Sequence, residues 1–401
     1  MSRQQKTKSR AGTRAELAAR AEALRPFIEE RAHQADQDRR LSDEVVEAMV
    51  DAGLFHAVQP ARFGGSELDH ATIVEITSII SKSCASAGWI LGNFICHQYM
   101  LANWPKEAQE EIWSPSPETL LSGVVIFPCG KAVREGNGYR LKGHWPFGSG
   151  SWHTKWCVFG AMTDEGTGDG PTAYKMFNVP RSDYSIIETW ETAGLRGTGS
   201  NDLVVDDVFV PEHRALNLED IKGGDHPGSD VNPGAVYRVP VYAMFPYVLN
   251  GVAMGIAQGV VERYIEKTKT QSARYSGQSI ANLTTIQVKV AEAAAAVDAA
   301  FALSYRNCDE VMEIAKAGGV PTMEQKVKYR RDGAYAVKLS TQAVDLLFGA
   351  SGGGGLYDKN PISRAFRDVH AVAAHITQTW EVNAAMYGRV MLGLDPENPT
   401  L

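Results

Sequence analysis

Residues 145–156 read WPFGSGSWHTKW, and residues 194–214 read GLRGTGSNDLVVDDVFVPEHR. Both are turn-rich polar segments set against short β-like runs. Gly and Ser in such loops let backbone N–H groups and hydroxyls approach a flat polar ligand without side-chain bulk intervening. Around this pair, residues 121–127, 138–144, 156–162, 173–179 and 203–210 are β-branched or aromatic runs separated by Gly, Asp and Asn turns. That pattern predicts an antiparallel β domain over residues 118–222. The turn at residues 164–171, DEGTGDGP, carries no expected chemistry.

Helical regions flank the sheet on both sides. An N-terminal helical domain is predicted over residues 14–117. In it Ser42 stands as an N-cap, Val45, Val46, Met49 and Val50 form an apolar stripe, and Gly53 closes the helix. A further run carries Gly88, Trp89 and His97, and Pro115 and Pro117 end the helical pattern. Residues 223–234, rich in Gly, Asp and Pro, lead to a C-terminal helical bundle over residues 235–395. There Ile286, Val290, Ala294, Val297 and Phe301 predict one buried face, and Thr322 with Gln325 a capping box.

Composition excludes several classes. The chain has 401 residues, 44% of them hydrophobic and 22% charged, as soluble globular proteins do. A net charge of −7 argues against nucleic-acid binding, and the basic start (Arg3, Lys6, Lys8, Arg10) reads as part of a short disordered tail, residues 1–13. The sequence shows no uninterrupted apolar run of about 18 residues, so no membrane span is expected. Cys84, Cys96, Cys129, Cys157 and Cys308 are widely spaced and without a CxxC pair, which suits reduced thiols in the cytoplasm. No GxGxxG follows a strand, and GxxxxGK[ST], HExxH and clustered Cys/His are missing, so neither a metal nor NAD(P)H bound by the common route is expected.

The two loops, in this order between two helical regions, resemble the middle domain of the acyl-CoA dehydrogenase superfamily. The Trp-x-Phe-x-Ser-Gly form of the first is closer to the oxygenase components of two-component flavin-dependent aromatic monooxygenases. The resemblance spans residues 14–395. It implies an α+β, acyl-CoA dehydrogenase-like fold: an N-terminal helical domain, a middle β domain and a C-terminal four-helix bundle, assembled as a homotetramer. It also implies reduced FMN or FAD, O2 activated as a flavin C4a-hydroperoxide, a separate NAD(P)H-dependent flavin reductase and a small aromatic substrate.

Residue by residue, the resemblance places Ser149 beside the flavin N5, with Ser151 a weaker candidate and Trp145 and Phe147 as apolar walls. Arg196, Thr198 and Ser200 shape the flavin or substrate side, unless theirs is an ordinary structural turn, and His153 orients the loop. Ser351, Gly352 and Gly353, in FGASGGGGLY, match a phosphate-binding stretch and are followed by PISRAFRD. Alone, that glycine run reads equally as a flexible interhelical loop. Where acyl-CoA dehydrogenases commonly carry a catalytic glutamate, about eight residues past Arg367-Asp368, this chain has His375 and Ile376; Glu381 and His370 read as structural. A histidine there and one at His97 match the substrate-pocket histidines of the monooxygenases, where an imidazole of ordinary pKa near 6.5 takes a phenolic proton or stabilises the phenolate. At Gly123-Val124-Val125-Ile126-Phe127 the chain departs from relatives that place serines there, which favours a bulkier or less polar aromatic or heteroaromatic. N- or S-oxygenation on the same scaffold, and acyl-CoA dehydrogenation, stay open as alternatives.

Overall fold

The first helix, α1 (Arg14–Asp38), begins at a capping box: the Thr13 hydroxyl accepts the Glu16 N–H and the Glu16 carboxylate accepts the Thr13 N–H. Just before it Arg10 pairs with Glu118 and with Asp51, at 3.0 Å for the latter. Residues 10–13 are therefore docked on the domain and do not belong to the expected tail. This computed structural model describes residues 10–166, 170–171, 173–272 and 277–401; Arg3, Lys6, Lys8 and the middle of the 164–171 turn lie outside the described residues.

Helix α2 (Asp43–Asp51) buries Val45, Val46 and Met49 as the stripe predicts, although the Ser42 side chain makes no cap bond. Helices α3 (His70–Ser81) and α4 (Ala85–Leu101) follow, then α5 (Lys106–Trp113). All 17 residues of α4 are buried, the signature of a helix apolar on nearly every face and enclosed on every side.

Among the described residues the sheet has eight strands: β1 (Leu121–Val124), β2 (Gly130–Glu135), β3 (Gly138–Gly148), β4 (Trp156–Asp164), β5 (Ala173–Pro180), β6 (Ser185–Ile187), β7 (Asn201–Pro211) and β8 (Ala215–Asn217). Most pairs are antiparallel, but the expected all-antiparallel domain needs correcting. β1 and β2 lie in line along one edge of β4, both parallel to it, with Leu121 opposite Trp156 and Lys131 opposite Met162. The cause is local. A single turn at Phe127–Cys129, where Pro128 has no N–H to give a ladder, interrupts that edge, and the chain resumes along it before β3 reverses direction. Trp145, Phe159, Phe177 and Leu203 fill the core of this sheet.

The C-terminal region contains α6 (Val241–Met244), α7 (Pro246–Thr270), α8 (Thr284–Lys316), α9 (Met323–Ala350), α10 (Pro361–Ala373) and α11 (Trp380–Met391). Helices α7 to α10 form the four-helix bundle, and α7 also packs on α3. That approach requires glycine at 255, where a Cβ would lie 2.2 Å from the Ser78 carbonyl oxygen. Contrary to the sequence reading, Val241–Thr270 is long and apolar enough to cross a membrane, with a mean hydropathy of 1.3, but 94% of its apolar window is buried inside the fold. On α8 the buried seam runs through Ala293, Val297, Ala300, Ser304, Cys308 and Val311. Of the five residues expected to be buried only Val297 lies in that seam, because the small alanines at 293 and 300 admit the neighbouring helices more closely; the other four pack half-buried at its flank. Both bonds of the Thr322–Gln325 capping box form at the start of α9.

Candidate active site

The 145–151 loop leaves β3 through a register shift between Trp145 and Gly148, with Phe147 at φ 69° and Gly150 at φ 66°. In a regular strand Trp145 and Phe147 would share a face. The irregularity separates them. Trp145 stays in the sheet core, its indole N–H on the Gly160 carbonyl at 2.8 Å, so it is no wall of the site. Phe147 is 57% exposed and meets Trp190 edge to face. A left-handed phenylalanine is strained and persists only where its surroundings impose it, as they do at ligand clamps.

The loop's serine is held from two sides. Ser149 Oγ accepts the Trp89 indole N–H at 3.1 Å and lies 2.8 Å from Ser200 Oγ, which lies 2.6 Å from Thr198 Oγ1. The Thr198 hydroxyl donates to the Leu195 carbonyl, and the Gly150 N–H donates to the Thr198 carbonyl. These bonds join residues 145–151 to residues 194–200. Helix α10 fixes the second loop from behind: Asp368 accepts the Leu195 N–H at 2.7 Å, and Arg367 donates to the Ala193 carbonyl while pairing with Asp36 of α1. Burial pushes the Asp368 carboxyl up to about 6, against the pull of the Leu195 N–H. His153, at the end of the first loop, pairs with Asp43 of α2 at 3.1 Å.

Trp89 also connects Ser149 to His375. The His375 ring meets Trp89 edge to face at 5.6 Å and stacks on Phe245 at 6.0 Å. Its Nδ1 receives the Thr377 backbone N–H at 3.3 Å and lies 2.8 Å from the Thr377 hydroxyl, so the ring proton is assigned to Nε2, leaving a free donor. On α4, Trp89, Asn93 and His97 recur every four residues along one face. His97 Nδ1 lies 2.7 Å from the Asn93 carbonyl, which can only accept, so Nε2 carries the lone pair. That Nε2 is buried with no partner, as is Asn93 Oδ1, whereas the adjacent Gln98 bonds both Thr119 and Trp113. Burial lowers both His97 and His375 to about 4, with the positive Arg330 adding to the effect at His375. Both imidazoles are therefore neutral near pH 7, one offering an acceptor and the other a donor.

The other expected residues fall in different places. Ser151 Oγ and Arg196 Nε are buried beside the loops without partners, which fits a ligand with polar edges. Ser351, Gly352 and Gly353 lie in the turn that follows α9; Gly352 and Gly353 are exposed, and Ser351 bonds back to its own helix, its hydroxyl to the Leu347 carbonyl and its N–H to the Phe348 carbonyl. Within one chain, no hydrogen bond among the described residues joins them to the Ser149 loop. His370 pairs with Asp345, and Glu381 is exposed, so no carboxylate replaces the dehydrogenase base at His375. Sequence reading did not select Trp89, Asn93, Phe245 or Tyr242. The available signal was polar spacing: Asn93 and His97 lie four apart in a helix otherwise suited to complete burial. No group of three or more His, Cys, Asp or Glu side chains among the described residues is arranged for a metal ion.

Helices, sheet and paired loops together define an acyl-CoA dehydrogenase-type scaffold. The family model for the acyl-CoA dehydrogenase N-terminal domain matches residues 14–117, and the C-terminal domain model matches residues 247–380. The chain is 34% identical over 390 residues to the oxygenase component of an FADH2-dependent resorcinol hydroxylase from Rhizobium sp. (strain MTP-10005), covering 95% of each. It superposes on the crystal structure of the HsaA monooxygenase from Mycobacterium tuberculosis with a TM-score of 0.91 and 33% identity, over 97% of this chain and 100% of that one. XiaF from Streptomyces sp., solved with FADH2 and glycerol, gives a TM-score of 0.88 and 28% identity over 97% of this chain and 98% of its own. The chain belongs to the oxygenase components of the two-component flavin-dependent monooxygenases, within the acyl-CoA dehydrogenase superfamily.

Proposed function

We propose that this chain uses reduced flavin and O2 to insert one oxygen atom into an aromatic ring. The reading rests on one arrangement: two neutral histidines of opposite hydrogen-bonding character, the one at 375 linked through Trp89 to the Ser149–Ser200–Thr198 hydroxyl chain. When bound, the reduced flavin supplies two electrons and activates O2; the ring C–H becomes C–OH, and the second oxygen leaves as water. Ser149, Ser151 and Arg196 would hold its polar edge. His97 Nε2 accepts a hydrogen bond from the ring substituent, and His375 Nε2 donates to an oxygen leaving or entering the site. Trp89 and Phe245 exclude water, which would otherwise divert the reducing equivalents to hydrogen peroxide.

FADH2 is the form named for two of the relatives, and a separate NAD(P)H-dependent reductase supplies it. A cytoplasmic location suits the five free thiols. A homotetramer suits the exposed Leu356, Tyr357 and Leu392, and it would let Ser351, Gly352 and Gly353 meet the phosphates of a flavin held mainly by a neighbouring copy.

Two variants test this reading. Ser149→Ala removes the hydroxyl at the head of the chain, which meets both Trp89 and Ser200, and is expected to lower the ratio of hydroxylated product to peroxide about tenfold or more, the effect of lost buried hydrogen bonds. An unchanged ratio, measured by chromatography and peroxide assay with reduced FAD, would remove Ser149 from the mechanism. Gly123→Ala is expected to displace His97, because a Cβ there would lie 2.0 Å from Nε2. Overpacking of about 1–3 kcal/mol should raise KM for the aromatic about tenfold with kcat less affected. Equal KM values would show that the imbedded ring is not held against β1.

A further inference from the structure

One carbonyl ends the hydroxyl chain that begins at Ser149. The Leu195 C=O takes the Thr198 backbone N–H at 3.1 Å, the Thr198 hydroxyl at 2.8 Å and the Trp190 indole N–H at 3.0 Å. It is held in place from the other side. Leu195 is left-handed at φ 51°, its N–H is bound by the buried Asp368 carboxylate, and Gly194 lies so close to α10 that a Cβ there would stand 2.2 Å from the Arg367 carbonyl oxygen. The acceptor is therefore fixed against Thr198, and a carbonyl oxygen has no proton to return.

That end point sets the direction of every proton along the chain, because each hydroxyl has only one to give. Thr198 gives its proton to Leu195, so in its 2.6 Å contact with Ser200 it is Ser200 that donates. Ser200 then has none left for its 2.8 Å contact with Ser149, and there Ser149 donates. On its other side Ser149 accepts the Trp89 indole N–H, a group that can only donate. Ser149 Oγ is left with one free lone pair and no free proton. Thr198, Ser200 and Ser149 are 2%, 3% and 4% exposed, so bulk water offers their hydroxyls no alternative partner.

We propose that Thr198 and Ser200 are positioning residues that make Ser149 an acceptor only, and that the site thereby selects the redox state of its flavin. The proposal rests on the oxygenase reading above and deepens it. On the isoalloxazine ring N5 carries only a lone pair in the oxidised form and an N–H in the reduced form. Set against Ser149 Oγ, the oxidised edge brings lone pair to lone pair, whereas the reduced edge donates a hydrogen bond. Thr198 and Ser200 act without touching the ring, by where they draw the Ser149 proton. Oxidised flavin left after turnover is then displaced by the reduced flavin that a separate reductase delivers. An N3 edge set against Ser149 would give no such preference, since N3 carries hydrogen in both forms.

The test is the ratio of dissociation constants for oxidised and reduced FAD, measured anaerobically by quenching of tryptophan fluorescence. A residue that merely supports the loop would change both constants together and leave their ratio alone. The wild type is expected to favour reduced FAD by at least about tenfold, the scale of one hydrogen bond to a buried acceptor. Ser200→Ala and Thr198→Val both release the Ser149 proton and should each lower the ratio about tenfold. Thr198→Ser keeps the terminal donor and should keep the ratio. Oxidised 5-deaza-FAD, in which a C–H replaces N5, should bind the wild type about tenfold more tightly than oxidised FAD, an arm that needs no variant to fold. No preference in the wild type, a ratio unchanged in both Ser200→Ala and Thr198→Val, or 5-deaza-FAD binding no more tightly than FAD would each overturn the proposal. Hydroxylation of any aromatic with reduced FAD is measured separately: if it occurs without the redox preference, the oxygenase reading stands and this one falls. If the preference and its loss in the variants are found without hydroxylation of any aromatic, the proton assignment stands and the oxygenase reading falls.

Discussion

Replacing His97 with alanine is expected to lower the rate of aromatic hydroxylation by about 10²–10⁴, the usual range for removing a positioned proton acceptor. The expectation comes from how α4 presents the ring. The Asn93 carbonyl, 2.7 Å from Nδ1, fixes the proton there, and Nε2 faces inward, buried and without a partner. Burial lowers its pKa to about 4, so at pH 7 the ring carries only the Nδ1 proton and Nε2 is free to accept a hydrogen bond. This replaces the expectation of an imidazole titrating near 6.5. Two outcomes of single-turnover kinetics with reduced FAD would sink it: a loss below about fivefold in His97→Ala, or a pH–rate inflection near 6.5 that disappears in that variant. His97→Gln, which keeps an acceptor of similar reach, should recover part of the rate.

The same helix shows what was legible in the sequence and what was not. The architecture was legible because its signals are long. Capping residues, apolar periodicity and the proline break at 115–117 separate helices from sheet, and the two glycine- and serine-rich loops lie between them. Strands β2, β6 and β8 were not. β2 reads GKAVRE, with four of its six residues exposed, and the other two are three residues long, so neither alternation nor hydrophobicity distinguishes them from loop. The parallel pairing of β1 and β2 with β4 depends on which edge the chain resumes, a tertiary choice that local pattern does not encode.

For the site, the limits were of another kind. Ser149, His97 and His375 were selected through a family resemblance, and the structure brings Ser149 and His375 together through Trp89, a residue that reads as simple core. Trp145 was given a wall role through the same resemblance, but it keeps the alternation of Tyr139 and Leu141 into the sheet core, and the bulge after it turns out only Phe147.

Acidification between pH 6.5 and 4 is expected to destabilise the protein; two histidines at 1% exposure, opposed by one aspartate, contribute about 4 kcal/mol, and His375 adds in the same direction. His70 and His97 are each 1% exposed and lowered by burial from 6.5 to about 4. In that interval the unfolded chain binds their protons and the native chain does not. Their contribution is present above pH 6.5 and lost as the pH falls toward 4, about 3.4 kcal/mol for each at 1.36 kcal/mol per pKa unit. Asp368 acts in the opposite direction: its carboxyl is raised from 3.8 to about 6, so the native chain holds a proton that the unfolded chain has released. On acidification it therefore returns about 3 kcal/mol over the lower part of the range. The histidines win, and the two contributions are separable. Urea unfolding across this range should show a shallower pH slope in His70→Gln and in His97→Gln, by up to one proton or 1.36 kcal/mol per pH unit each, and a steeper one in Asp368→Asn. A wild-type stability that is flat from pH 6.5 to 4.5, or glutamine variants with the wild-type slope, would show that these imidazoles are protonated in the native state and would remove the basis for treating His97 as a neutral acceptor.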